Sequence, residues 1–366
     1  MAERKSIGRS FYKIIKEQAH RLDAQQIVDL FNQVSKARVT TLAGLVSGYL
    51  ATNLPAAIER RVGLGDYRTN PYVLLASAHV MDLQDPRRFA DFLFNTKLYM
   101  GLETSFGKSI EAAFVSRYPL NPRTVQTWAD APEKLVEFKA LEGLSDEDKA
   151  GQRTESVWRE IDRACVIGEH RYMTSIKSGP NCINDTQVAG MTDAIAKHHR
   201  TWMESTKRRY KRVKELDIII GLTYGTDKTT NNKENQILVK LLKKGFIEED
   251  RENKPGVLID AATRAIRVYR RIGQDFWAMI GDPAAPNTTR FVFLEILLSL
   301  ASALTTVMAQ ADLETRINGR ILALIEALSR LLFPRKSLPE WVREEFTDSQ
   351  LFWFASALTA FYDEGI

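Results

Sequence analysis

The sequence predicts an α/β fold: a strand-bearing core over residues 101–250, flanked by helical additions at both ends. Three observations carry this. Ser156 to Lys177 holds two strand-like runs around a Gly168-Glu169-His170 turn, which reads as a β-hairpin. Asp217 to Tyr224 (DIIIGLTY) is the strongest buried-strand signal in the chain. The stretches before about residue 100 and after about residue 257 repeat apolar residues mostly at helical spacing.

In chain order, Ile27, Leu30, Phe31 and Val34 fall at helical spacing, and Thr41 to Ala51 continues the pattern. Asn70-Pro71 marks a break before a helix over Tyr72 to Met81, and Arg88 to Leu93 is helical too. In Gly101 to Tyr118, Thr104 or Ser105 caps a helix that turns Ile110, Phe114 and Val115 to the core. Leu120 to Leu144, with Pro122 and Pro132, is a connecting stretch. After the hairpin, Ser178-Gly179-Pro180-Asn181 breaks the strand and a helix runs from about Asp185 to Tyr210. Asn231 or Asn232 caps the next helix, which runs to Lys244 and stops at Gly245. Ala261 to Ile272, Phe291 to Ala311, Leu313 to Leu332 and Ser349 to Phe361 read as helices. The expected organisation is an N-terminal helical region (1–100), the core (101–250) and a C-terminal helical region (251–366), folded as one compact unit.

Composition excludes some classes. At 366 residues and 44% hydrophobic, the chain can bury a sizeable core, and its mixed charges without low-complexity tracts argue against disorder. The net charge of +5 is too small to mark a nucleic-acid binder on its own. Two basic clusters say more: Lys207, Arg208, Arg209, Lys211, Arg212 and Lys214, then Arg264, Arg267, Arg270 and Arg271. Cys165 and Cys182 are too few for a disulfide framework and fit a reducing cytoplasm. The start, MAERKSIGRSFYKII, lacks the apolar run of a signal peptide. Phe291 to Gln310 is about the length of a membrane span, but Glu295 makes it read as a buried or interface helix.

The hairpin carries the chemistry. Asp162 and Lys177 are brought side by side by the turn between them; Glu160 and Asp162 share one face of the first strand, and Ser175 and Lys177 share one face of the second. A carboxylate such as Asp162 suits Mg²⁺, which neutralises charge on a phosphate and acidifies bound water. A lysine ammonium beside the phosphate orients that water or offsets the growing charge. The adjacent His198-His199 pair is set aside, because neighbouring helical residues do not face one point.

The run REIDRACVIGEHRYMTSIKSGPNCINDTQ resembles the active-site hairpin of type II restriction endonucleases of the PD-(D/E)XK nuclease superfamily. The matching residues are Ile176, Lys177, Ser178, Gly179, Pro180, Asn181, Asn184 and Gln187, and GKSIEAAF resembles the acid-bearing helix that leads into that core, with Glu111 as the acid. The resemblance covers about residues 100–240 and implies a mixed central sheet flanked by helices. It departs at Ser175, where the family usually has Asp or Glu; a serine brings no metal-binding charge.

The resemblance implies a Mg²⁺-dependent, sequence-specific endonuclease acting on double-stranded DNA at a palindromic site, a homodimer in a bacterial or archaeal cytoplasm, with no membrane role. Asp162, Lys177, Ser175 and Glu111 are the expected catalytic residues. Asp162, with Glu111 or Glu160, holds the metal; Asp185 and Asp193 are reserve acids. The expected DNA contacts are Ser178, Asn181, Asn184, Gln187, Lys207, Arg208, Arg209, Lys211, Arg212, Asn231 and Asn232. The amide-rich segment 225–236 suits base reading, because Asn and Gln pair with adenine in the major groove. Three competitors remain: a sequence-nonspecific repair nuclease on the same fold, a catalytically silent DNA-binding protein favoured by Ser175, and a helical scaffold with an accidental motif.

Overall fold

The computed structural model describes residues 24–60, 64–67, 70–118, 124–141, 145, 147, 151, 156–179, 182–227, 229–250, 254–310, 312–329 and 335–362. The side chains of 64–65, 103–112, 124–126, 250, 254–255, 308–310, 329, 335 and 358–362 lie outside that description. The chain divides into two compact units. One comprises residues up to Leu42 and Gly107–Ser299; the other comprises Ala43–Phe106 and Leu300–Ile366.

The first unit is built on a seven-stranded mixed sheet. Its strands are β1 (Thr124–Ala129), β2 (Arg163–Ile167), β3 (His170–Lys177), β4 (Glu215–Leu222), β5 (Phe246–Asp250), β6 (Lys254–Asp260) and β7 (Ile266–Ile272), in the order β1-β2-β3-β4-β7-β6-β5. The three central strands, β3, β4 and β7, run parallel; the outer pairings are antiparallel. A parallel strand covered on both faces is apolar throughout, and β4 is: Leu216, Ile218, Ile219, Ile220 and Leu222 are all buried.

The β2–β3 hairpin and the helix over Asp185–Arg209 form where expected. Gly168 turns the hairpin at φ +60°, a conformation that glycine adopts without strain. The helix starts with a capping box: Asn184 Oδ1 accepts the Gln187 N–H at 2.8 Å, and Gln187 Oε1 accepts the Asn184 N–H at 3.0 Å. Its Val188, Met191, Ile195 and Trp202 pack with Met173, Ile218, Ile220 and Val268 of the sheet. Ile237, Leu238 and Leu241 of the following helix, Lys233–Leu241, join the same cluster. At about 1.5–3 kcal/mol for each such side chain fully buried, this cluster dominates the unit's stability.

Several expectations are corrected. The segment after 257, read as helical, holds the end of β6 and all of β7, so the sheet runs past residue 250 to Ile272. Arg264, Arg267, Arg270 and Arg271 imitate helical spacing, but Ile266, Val268 and Ile272 are buried at strand spacing. The connecting stretch contains β1 and a helix over Pro132–Lys139 whose proline sits at its first turn. No new helix begins at Thr104 or Ser105; one helix runs over Pro86–Val115, and Phe114 and Val115 are buried as expected. Ile110 lies outside the described side chains.

The described part of the second unit is helical, with Pro71–Val80, Leu313–Ser329 and Asp348–Tyr362 among its helices. Trp353 Nε1 donates to the Leu83 carbonyl at 3.0 Å, and the rings of Phe89 and Phe352 meet edge to face at 5.5 Å. Among the described residues, two helices, Lys36–Glu59 and Pro286–Val307, are long and apolar enough to cross a membrane. On the second, Glu295 is buried and held by Arg38 at 2.6 Å.

Candidate active site

The hairpin delivers Asp162 to Ser175 and Lys177. The Asp162 N–H donates to the Thr174 carbonyl at 2.9 Å, and the Ile176 N–H donates to Asp162 Oδ2 at 2.7 Å. The pairing of Arg163 with Thr174 carries one step further to set Asp162 across from Ser175. Opposed residues share a face, and Lys177, two residues on, shares it too. Thus Asp162, Ser175 and Lys177 stand together at the C-terminal end of β3. Asp162 immediately precedes β2 rather than lying within it.

Glu160 does not join them along a strand face, as the sequence suggested. Residues 157–160 form a turn, closed by the Ile161 N–H on the Trp158 carbonyl at 3.1 Å. Tryptophans fix that turn: Trp202 Nε1 donates to the Val157 carbonyl at 3.0 Å, and its ring lies 6.2 Å from that of Trp158. Glu160 instead lies 3.7 Å from Arg159.

Beyond Lys177 the chain is fastened to the end of β4. Thr223 donates its N–H to the Lys177 carbonyl and its hydroxyl to the Ser178 carbonyl, both at 3.1 Å. Trp277 Nε1 in turn donates to the Thr223 carbonyl at 2.8 Å. Gly179 permits the close approach: a Cβ there would lie 2.3 Å from the Tyr224 ring. Within this frame the Lys177 ammonium and Asp162 Oδ1 have no partner among the described residues, and the Ser175 hydroxyl is buried without one.

Glu111 lies on the Pro86–Val115 helix, but its side chain is outside the description. The reserve acids are engaged by lysines. Asp185 pairs with Lys233 and Asp193 with Lys244 at 2.6 Å, both on the exposed seam between two helices. The hydrogen bond from Lys233 holds the Asp185 carboxyl below the usual carboxylate range. Among the described residues, no group of three His, Cys, Asp or Glu side chains is arranged to hold a metal. Any Mg²⁺ site here would rest on Asp162 and the buried Ser175 hydroxyl oxygen opposite it, with waters and phosphate oxygens as the remaining ligands.

One acid was missed. Glu234, in the first turn of the Lys233–Leu241 helix, is wholly buried. Its Oε1 accepts the Thr230 hydroxyl at 2.8 Å, and its Oε2 has no partner among the described residues. Its signal was in the sequence, because Glu234, Ile237, Leu238 and Leu241 fall on one helical stripe.

The expected DNA contacts separate in space. Asn231 and Asn232 lie in the loop after β4, at the Lys177 end. Asn231 Nδ2 donates to the Ile183 carbonyl at 3.0 Å, and its Oδ1 accepts the Lys233 N–H at 3.1 Å. It is therefore Asn231 that serves the helix start; Asn232, at φ +59°, makes no side-chain cap. Asn184 and Gln187 are exposed but bonded to each other's backbone, and Ser178 Oγ lies 3.5 Å from Cys182 Sγ. Asn181 lies outside the described residues. Lys207, Arg208, Arg209, Lys211 and Arg212 are exposed around the end of the Asp185–Arg209 helix. There Lys214 pairs with Glu169 of the hairpin turn, so the run sits at the opposite end of the sheet from Lys177.

The second arginine cluster is largely committed inside the fold. Arg267 meets Glu215 and Glu249, Arg270 meets Asp227, and Arg271 lies over the Tyr269 ring. His199, expected at the surface, is buried, with Nδ1 2.8 Å from the Ile195 carbonyl; His198 lies beside Trp202. Both cysteines are free thiols.

With this geometry in place, comparison with known families is informative. The family model described as Type II restriction endonuclease EcoO109I matches residues 141–288. The match takes in the hairpin, the Asp185–Arg209 helix, and the sheet from β2 through β7. The mixed sheet flanked by helices is accordingly a restriction-endonuclease-like α/β nuclease core. No curated protein matches the chain.

Proposed function

We propose, from the premise that residues 141–288 form the nuclease segment of a type II restriction endonuclease, that the chain cuts double-stranded DNA sequence-specifically with Mg²⁺. The observation that carries this reading is the hydrogen bond from the Ile176 N–H to Asp162, which fixes a carboxylate beside Ser175 and Lys177. Asp162, with its second oxygen available, holds the cation. A bound Mg²⁺ supplies an acidified water and neutralises charge on the scissile phosphate. Lys177 orients the attacking water by donating to it and balances the charge that grows on the phosphate. The Thr223 bonds behind Lys177 and Ser178 keep that strand end in register with β4 while the substrate is held. The target is palindromic and read by a twofold homodimer, because identical half-sites call for an isologous pair. Asn231 and Asn232 stand at the correct end of the sheet to contact bases, and the enzyme works in a reducing cytoplasm.

One observation favours a second reading. Ser175 stands where an acid is usual, which suits a protein that binds DNA without cutting it. Purified protein incubated with unmethylated phage and plasmid DNA, in Mg²⁺ and in EDTA, separates the readings. Sharp, reproducible bands only in Mg²⁺ are expected. A smear points to a nonspecific nuclease. DNA left intact across varied sequences, with binding retained, leaves the silent binder.

A further inference from the structure

We propose that Lys134 is a positioning residue for the cleavage reaction: its ammonium, bonded to the carbonyl just before Asp162, fixes the direction in which the Asp162 carboxylate points. The inference rests on the nuclease reading above and adds a residue behind its site.

Asp162 lies just outside β2, so regular strand pairing does not orient it by itself. Its surroundings do. Lys134 Nζ donates to the Ile161 carbonyl at 2.7 Å, and the Asp162 N–H donates to the Thr174 carbonyl at 2.9 Å. The peptide group before the Asp162 Cα is thus bonded at both ends. The peptide group after it is held through its carbonyl, which accepts Arg163 Nη1 at 3.1 Å. The side chain is held through Oδ2, which accepts the Ile176 N–H at 2.7 Å. A carboxylate that is to hold a cation needs such outer partners, because they set the direction of the ligand.

Lys134 is itself placed with care. It belongs to the helix over Pro132–Lys139, and the start of that helix is bolted to the hairpin. Asp130 pairs with Arg163. Glu133 takes both terminal nitrogens of the wholly buried Arg171 of β3, at 3.0 and 2.7 Å. A bidentate pair of this kind sets direction as well as distance. Lys134, the next residue, stands in the first turn of its helix, where the helix dipole disfavours a cation. It is also half-buried, which costs side-chain entropy. A charged hydrogen bond to the Ile161 carbonyl offsets both costs, and it falls on the one peptide group that leads directly into Asp162.

Two readouts test this: single-turnover cleavage, and amide hydrogen exchange at Ile176, whose N–H is bonded to Asp162 Oδ2. Lys134→Met keeps an unbranched stem and removes the donor; Lys134→Arg keeps a charged donor. Lys134→Met is expected to cut about 10–100-fold more slowly, the range that outer partners of a metal ligand span. It is expected to bind DNA in Ca²⁺ as the wild type does, and to exchange the Ile176 amide about tenfold faster, the order that one charged hydrogen bond supplies. Lys134→Arg is expected to restore most of both. A role in packing alone would lower the melting temperature and move neither readout per folded molecule; that result overturns the proposal. Slow cleavage with unchanged exchange at Ile176, or with no rescue by Lys134→Arg, overturns it as well. A wild type that cuts no DNA in Mg²⁺ overturns the nuclease reading and this proposal together. A wild type that cuts, beside an unimpaired Lys134→Met, overturns this proposal alone.

Discussion

At the scale of single residues, the candidate site sets a carboxylate, a hydroxyl and an ammonium on one sheet face, and the proposed reading gives them different work. Asp162 is both a candidate ligand and a brace, since Oδ2 accepts the Ile176 N–H. Asp162→Asn should therefore lower cleavage by about a thousandfold or more, with a loss of about 1–2 kcal/mol in stability at most. Lys177→Ala should lower cleavage as far with little loss of stability, because its ammonium has no protein partner among the described residues. Both variants should still bind DNA in Ca²⁺; single-turnover cleavage and urea melts report the two quantities, and either variant cutting at the normal rate would remove its residue from the site. Ser175→Ala should leave stability unchanged or slightly raised, since it deletes a buried hydroxyl that has no partner among the described residues. Asp162 and Lys177 were legible in the sequence because a hairpin with a known turn fixes which residues oppose. Glu160 was misread because Trp158 and Trp202 close a turn where strand alternation was assumed, a long-range packing arrangement invisible to local pattern.

At the scale of elements, the most legible pieces were those whose local signals agree. The Asp185–Arg209 helix has its capping box and its apolar stripe, and Asn184→Ala should cost about 1 kcal/mol, measured as a lowered urea midpoint with an unchanged slope. β4 was legible because only a central strand is apolar at nearly every position. β7 was not, because it carries four arginines in or just before it, and a strand tolerates them only when tertiary partners such as Glu215, Glu249 and Asp227 neutralise them. The N-terminal ends of β3 and β4 hold another such network. His170 Nδ1 stands 3.6 Å from both Asp217 and Glu215, and the Asp217 carboxylate raises the imidazole's pKa, with Glu215 adding to this and Arg267 opposing it. A histidine whose pKa is raised on folding stabilises the fold fully below its unfolded value and loses that contribution as pH rises through the folded one. The melting temperature of the wild type, less that of His170→Gln, should therefore fall as pH rises from about 6.5, the unfolded value. A difference that does not change with pH would show that His170 gains no proton affinity in the fold.

At the scale of the molecule, a net charge of only +5 has to be read by where the charges stand. The basic run from Lys207 to Arg212 was expected to contact DNA, and Lys214 anchors its end to Glu169 at the hairpin turn, one strand length from Lys177. From His170 to Lys177 a strand rising 3.3 Å per residue covers about 23 Å. Along a duplex that is about 7 base pairs at 3.4 Å each. On the proposed reading, charges so far from Lys177 meet phosphates flanking a short site. Phosphate contacts set affinity and its salt dependence, whereas base contacts set sequence preference. Replacing Lys207, Arg208, Lys211 and Arg212 with Gln should accordingly weaken binding alike on specific and unrelated DNA. The slope of log K against log salt should become shallower by about 0.9 for each phosphate that these side chains no longer neutralise. Asn232→Ala should behave in the opposite way, changing the preference among sites and leaving that slope alone, whereas the Asn231 amide is already committed to the Ile183 carbonyl and the Lys233 N–H. Binding isotherms across a salt series, with cut positions mapped in parallel, measure both. A shift of cut site in the charge variant, with the slope unmoved, would return base reading to the far end of the sheet and would require the duplex to cross it there.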